Sequence, residues 1–207
     1  MVKDEKLYEV CFEIAGPAAM FTRPDTGATP VSYPAPTYTS AKGMFESIVR
    51  IKSAIIKPTK VEICAPIHYH QYTNNYHGPT RKSGTENFQL FATILANVCY
   101  RIYGVVEELQ RAPVNITTNH LHYLQDKFER RLRTGRWYHV PCLGWKEFTP
   151  SYVGVFREET KVEESIEQII PSMLFSIDYK LGEEKYDMKA TYKQNVCIKK
   201  GVLEYVE

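Results

Sequence analysis

The sequence predicts an α+β fold over residues 1–157, followed by a small strand-rich subdomain over residues 158–207. Three observations carry that reading. Several segments alternate in polarity or concentrate β-branched and aromatic residues, as strands do. Two others repeat apolar residues at spacings of three and four, as helices do. Together they run strand, helix, strand, strand, helix, strand, which is the split βαβ order of ferredoxin-like domains.

Leu7 to Ile14 (LYEVCFEI) alternates apolar and acidic positions and reads as the first strand, ended by Gly16-Pro17. Phe21 to Pro36 holds four prolines and one glycine, which suits an irregular loop. Ser40 then caps a helix expected to reach about Ile56, with Ala41, Met44, Phe45, Ile48, Ile51 and Ile55 as its apolar stripe. Lys60 to Tyr72 reads as a strand in which Pro66 demands an edge or a bulge. A polar tip from Asn74 to Asn87 leads to a long returning strand, Phe88 to Val106. Asn119 caps a second helix over 120–134, with Leu121, Leu124, Phe128 and Leu132 inward and Gly135 as its stop. Gly144 to Phe156 reads as the next strand. After an acidic stretch, Met173–Lys180, Tyr186–Lys193 and Val196–Val206 read as three short strands.

Composition narrows the function. Apolar residues at 43% and charged residues at 24% are those of a globular chain, not a disordered one. No apolar run approaches the roughly 20 residues of a membrane helix, and the N-terminus lacks the pattern of a secretory signal. Five cysteines without a CxxC pair argue for a reducing, cytoplasmic setting without a disulfide framework or zinc site. The net charge of +2 is unevenly spread. From His120 to Lys146 there are six basic residues against two acids, and from Arg157 to Asp187 nine acids against four bases. A basic face of that kind, in a chain with 15 tyrosines and 9 phenylalanines, suits phosphates and unstacked bases. Strand-rich structure accounts for the aromatics equally well.

Four groups on the second helix bear on chemistry. His120, Tyr123 and Lys127 share a face, with His122 close by. An imidazole near neutrality takes a 2′-hydroxyl proton, and an ammonium steadies a phosphorane. Any solvated helix face offers such triplets, so spacing alone leaves both readings open. Candidate phosphate contacts are Arg23 in the proline-rich loop, Lys42 on the first helix, Arg81 and Lys82 at the hairpin tip, Arg130, Arg131 and Arg133 on the second helix, and Lys146. His68, His70 and His77 fall within ten residues but bring no carboxylate, and with Tyr72 and Tyr76 they read as an aromatic sheet face. No metal and no cofactor is expected. Gly43 inside the first helix costs about 1 kcal/mol against alanine, which a close approach by another backbone or by RNA would explain, and a tight helix–sheet crossing equally well. Walker loops, GxGxxG, HExxH and GxSxG are absent from the sequence.

Two blocks carry a resemblance. Phe21-Thr22-Arg23-Pro24, Ser32-Tyr33-Pro34 and Pro36 through Ile48 (PTYTSAKGMFESI) form the first. Phe128-Glu129-Arg130-Arg131-Leu132-Arg133-Thr134-Gly135 followed by Pro141-Cys142-Leu143-Gly144-Trp145-Lys146-Glu147-Phe148 forms the second. Both resemble the d-type members of the Cas "five" family, CRISPR-associated proteins of subtype I-C in the RAMP superfamily. The resemblance implies a modified ferredoxin-like (RRM-like) βαββαβ domain with a small C-terminal antiparallel sheet. It implies binding of the repeat-derived 5′ handle of CRISPR RNA, beside the backbone and large subunits of a Cascade complex. It also implies metal-independent endoribonuclease activity on the precursor; the alternative is an architectural subunit capping an RNA cut by another protein. The d-type pattern places a tyrosine where this chain has Val49, and a Lys-His pair where it has Tyr123 and Leu124.

Overall fold

A computed structural model describes residues 7–76, 88–109, 119–181 and 186–205. The alternation in LYEVCFEI becomes strand β1, Glu9–Ala19, which continues through Gly16-Pro17 instead of stopping there. Helix α1 spans Tyr38–Ile48. Thr37, three residues before the expected cap, closes its start by accepting the Ser40 N–H at 3.1 Å. It ends eight residues earlier than its periodicity suggests, because Val49 turns extended (φ −148°, ψ 139°). Ile55 therefore belongs to strand β2, Ala54–Ile63. The expected strand over 60–72 is two strands, β2 and β3 (His68–Tyr76), separated at Pro66, which has no N–H to give a ladder.

Strand β4, Phe88–Glu108, organises the rest. One of its edges takes β1 over Leu95–Val105. The other takes β2 over Tyr100–Glu108 and then β3 over Phe88–Ala96. Helix α2, His120–Thr134, lies where its cap, stripe and stop place it. The expected strand over 144–156 shrinks to β5, Tyr152–Gly154. Gly144 (φ 92°) turns the chain so tightly against Met20 that an added Cβ would sit 1.8 Å from its carbonyl oxygen. β6 (Gln168–Leu181), β7 (Tyr186–Lys199) and β8 (Val202–Glu204) complete the chain.

All strand pairs are antiparallel, in the order β5-β1-β4-β2-β8-β7-β6, with β3 on β4. The expected separate C-terminal sheet is continuous with the main one, because β8 pairs with β2 and sets Leu203 against Val61, both fully buried. Both helices pack on the same side of β1. Phe12 meets Phe45 of α1 (5.0 Å between ring centroids) and Phe128 of α2 (6.1 Å), and those two rings meet at 5.6 Å. Burying such rings contributes about 1.5–3 kcal/mol each, so this contact fixes where the two helices stand on the sheet.

Candidate nucleic-acid interface

Asn119 starts α2 by accepting the Leu121 and His122 N–H groups at 3.0 and 3.4 Å, while its amide donates to the Tyr8 hydroxyl at 2.9 Å. Leu124, Phe128 and Leu132 are buried, which turns the opposite side of the helix outward. There Tyr123 is 45% exposed with the Lys127 ammonium 5.2 Å above its ring centre. Arg130 is exposed and pairs with Asp126 at 3.4 Å. Exposed Arg133 and Arg136 continue the basic row. The histidines stand apart from this pair. The His120 side chain is 13% exposed, with Nε2 lacking a hydrogen-bond partner and Glu108 Oε1 3.6 Å away. His122 is exposed and tilts against the Tyr8 ring at 6.0 Å.

Arg131 turns the other way. Its guanidinium donates to the Ile48 carbonyl at 2.9 Å, at the last turn of α1. The same carbonyl receives the Tyr138 N–H at 3.2 Å, and the adjacent Ser47 carbonyl receives the His139 N–H at 2.9 Å. These bonds satisfy orphan carbonyls at the end of α1 and lay the segment after α2 along it. Tyr138, His139 and Val140 are left exposed. Val49, the α1 cap, is 3% exposed.

The remaining candidates lie elsewhere. Arg23 forks onto Asp25 at 2.7 and 3.1 Å and stands 5.8 Å over the Tyr33 ring. That pairing lowers the Asp25 carboxyl and raises the Arg23 guanidinium. Lys42 is half-buried on α1, and Lys146 is exposed on the turn that begins at Gly144. Next to it Trp145 donates to Thr22 at 3.0 Å and stacks on Phe148, which also meets Tyr72. His68 and His70 are both exposed on β3. Arg81, Lys82 and His77 lie outside the described residues. Gly43 has nothing within 4 Å of an added Cβ, so protein packing does not explain it.

Two groupings escaped sequence reading. One is the Tyr138–His139 pair, whose anchor in α1 is remote in sequence. The other is Glu13, with no exposure at all, which collects Arg157 (2.6 Å), Arg101 (3.5 Å) and Thr160 (2.9 Å). Its alternation with Cys11 was visible, but not the loop over 155–160 that covers it. Burial pushes this carboxyl up, but hydrogen bonds from Arg157 and Thr160 outweigh burial and hold it below 4.5. A cavity of about 830 Å³ opens between β1 and α2, lined by Glu9, Cys11, Lys60, Tyr103, Glu129 and Arg133 among others. Its charge is mixed, and it shares Arg133 with the arginine row.

Residues 9–203 match the Cas5d family model, described as CRISPR-associated protein (Cas_Cas5). The chain belongs to the Cas5d family. It is 25% identical over 209 residues to the CRISPR pre-crRNA endoribonuclease Cas5d of Mannheimia succiniciproducens, covering 88% of this chain and 91% of that one. The protein of the same description from Thermus thermophilus is 27% identical over 147 residues, covering 68% of this chain and 61% of its own. Among solved structures, a crystal structure of a CRISPR-associated protein superposes with a TM-score of 0.73 at 18% identity, covering 96% of this chain and 92% of that one. The functionally uncharacterized SMU1763c from Streptococcus mutans superposes with a TM-score of 0.72 at 17% identity, with the same coverage. These two likenesses show that the mixed α/β fold with its antiparallel sheet is a fold that this Cas5d chain shares with them.

Proposed function

We propose that this Cas5d chain binds the repeat-derived 5′ handle of CRISPR RNA in a type I Cascade complex and cuts the precursor without a metal ion. The observation that carries the reading is the outward row Lys127, Arg130, Arg133 and Arg136, in a chain whose family match spans residues 9–203. The curated relatives are called pre-crRNA endoribonucleases, which supports the same chemistry here. The order β5-β1-β4-β2, with α1 and α2 on one side of β1, supports a ferredoxin-like core, to which 158–207 adds a strand-rich extension.

Lys127 and Tyr123 offer a cation and a stacking ring to an unpaired nucleotide, with His122 beside the entrance to the helix. Arg23, Lys42 and Lys146 are secondary phosphate contacts, as are Arg81 and Lys82, which lie outside the described residues. The test is labelled repeat RNA incubated with purified protein in EDTA. Retarded RNA plus a discrete cut supports the reading. Binding without a cut favours the architectural alternative, to which the buried Val49 also lends weight. Absence of binding removes both.

A further inference from the structure

The geometry points to a cleavage centre at the C-terminal turn of α1, in which His139 is the general base, Tyr138 the proton donor and Arg131 the cation that steadies the phosphorane. The inference rests on the cleavage reading above and assigns it to residues at the far end of α2 from His120.

Three features of this turn make a reactive site. The backbone is held, because the Tyr138 and His139 N–H groups end on Ile48 and Ser47 carbonyls at 3.2 and 2.9 Å. Trp137 packs against the core from the same segment and fixes it further. The side chains, by contrast, face outward: His139 is exposed and Tyr138 is 49% exposed, with ring centroids 4.4 Å apart and planes at 64°. An imidazole and a phenol are thus presented to solvent on a rigid support, as acid–base catalysis requires. Finally, positive charge is concentrated on the site. The Arg131 guanidinium shares the Ile48 carbonyl with the Tyr138 N–H, which sets it beside the backbone that carries the pair. One of its five N–H donors is taken by that carbonyl, leaving a fork that suits a phosphate. Exposed Arg50 follows α1, and exposed Arg136 precedes Tyr138.

The step balances within RNA and these side chains. His139 takes the proton of the 2′-hydroxyl, and the 2′-oxygen bonds to phosphorus. The bond between phosphorus and the 5′-oxygen breaks, and that oxygen takes a proton from the Tyr138 hydroxyl. The products are a 2′,3′-cyclic phosphate and a 5′-hydroxyl, and the His139 proton returns to Tyr138 through solvent. Arg131 holds the charge on the non-bridging oxygens while phosphorus is five-coordinate.

Single-turnover cleavage of labelled repeat RNA in EDTA, at saturating protein, tests this for the wild type, His139→Ala, His139→Gln and Tyr138→Phe. Both histidine variants are expected to cut about 100-fold or more slowly. RNA affinity should stay within about twofold and melting should be unchanged, because the anchoring groups are backbone N–H and one imidazole adds little to phosphate neutralisation. Free imidazole should restore part of the rate in His139→Ala, which a packing defect would not allow. Tyr138→Phe keeps the ring and should cut about 10-fold or more slowly. Wild-type cutting that survives in all three variants overturns this centre while leaving the cleavage reading intact. A wild type that binds the repeat without cutting it overturns both.

Discussion

The Glu13 carboxylate, with no solvent exposure, receives the Arg157 guanidinium at 2.6 Å and the backbone N–H of the same residue at 3.1 Å. Two bonds from one residue tie the segment after β5 to the middle of β1, and Arg101 extends the clamp by donating to the Arg157 and Thr160 carbonyls at 2.9 and 2.7 Å. Glu13→Gln leaves two guanidinium groups without their counter-charge. It should cost about 3–5 kcal/mol, read in urea unfolding. The wild type should also show a pH signature. Glu13 ionises below its unfolded value of 4.5, so its contribution is full above that pH and is lost as pH falls through the lowered folded value. Melting temperature should therefore drop on the acid side of about pH 4.5, and this part of the drop should be missing in Glu13→Gln. Identical acid profiles for the two proteins would refute the assignment.

The arginines of α2 divide by direction. Arg131 bonds the α1 carbonyl, whereas Arg130 and Arg133 face solvent. Arg131→Ala removes a charged donor and should cost about 1.5–3 kcal/mol. At this chain length that lowers melting by about 2–4 °C per kcal/mol. Arg130→Ala with Arg133→Ala should leave melting unchanged, weaken repeat RNA and flatten the logarithmic salt dependence by about 1.4–1.8, for two lost phosphate contacts. Unchanged salt dependence in that double variant would take the outer face of α2 out of the RNA path.

How legible these features were depended on the distance over which they are decided. Helix α2 was legible to the residue because Asn119, the Leu124–Phe128–Leu132 stripe and Gly135 are all local signals. The end of α1 was not: Ile51 and Ile55 continue its spacing, but the chain turns at Val49 and Ile55 joins β2. Gly144 was readable as part of a motif, but its tight approach to Met20, which shortens β5, depends on a residue far earlier in the chain. The candidate site divides the same way. The outward Tyr123, Lys127 and Arg130 follow from helical period, whereas the inward turn of Arg131 depends on a carbonyl 83 residues away. Helical period sets Arg131, seven residues after Leu124 and three after Phe128, beside the buried stripe, but does not say which carbonyl it meets.

Gly43 separates helix energetics from RNA contact. A Cβ there meets nothing and the residue is exposed within α1. Gly43→Ala should therefore stabilise the fold by about 0.4–1 kcal/mol, through helix propensity and a less flexible unfolded chain. Thermal melts of the two proteins measure this. A more stable Gly43→Ala protein that loses repeat affinity would put an RNA backbone against that face, and unchanged affinity would leave the glycine without a role in binding.

The products of cleavage discriminate between mechanisms more sharply than rates do. Attack by the neighbouring 2′-hydroxyl leaves a 2′,3′-cyclic phosphate on the upstream fragment and a hydroxyl on the downstream one. Attack by water activated on a metal would ordinarily leave a 3′-hydroxyl on the upstream fragment and a 5′-phosphate on the downstream one, and would stop in EDTA. Side-chain acid–base chemistry here rests on His139, Tyr138 and Arg131. Mass spectrometry of the fragments should show the cyclic phosphate. A single 2′-deoxy nucleotide at the cut site should abolish cutting while leaving affinity within about twofold, since the phosphate contacts that dominate binding are untouched. Cutting of the deoxy substrate would exclude 2′-hydroxyl attack and, with it, the assignment of His139 as the base that removes that proton.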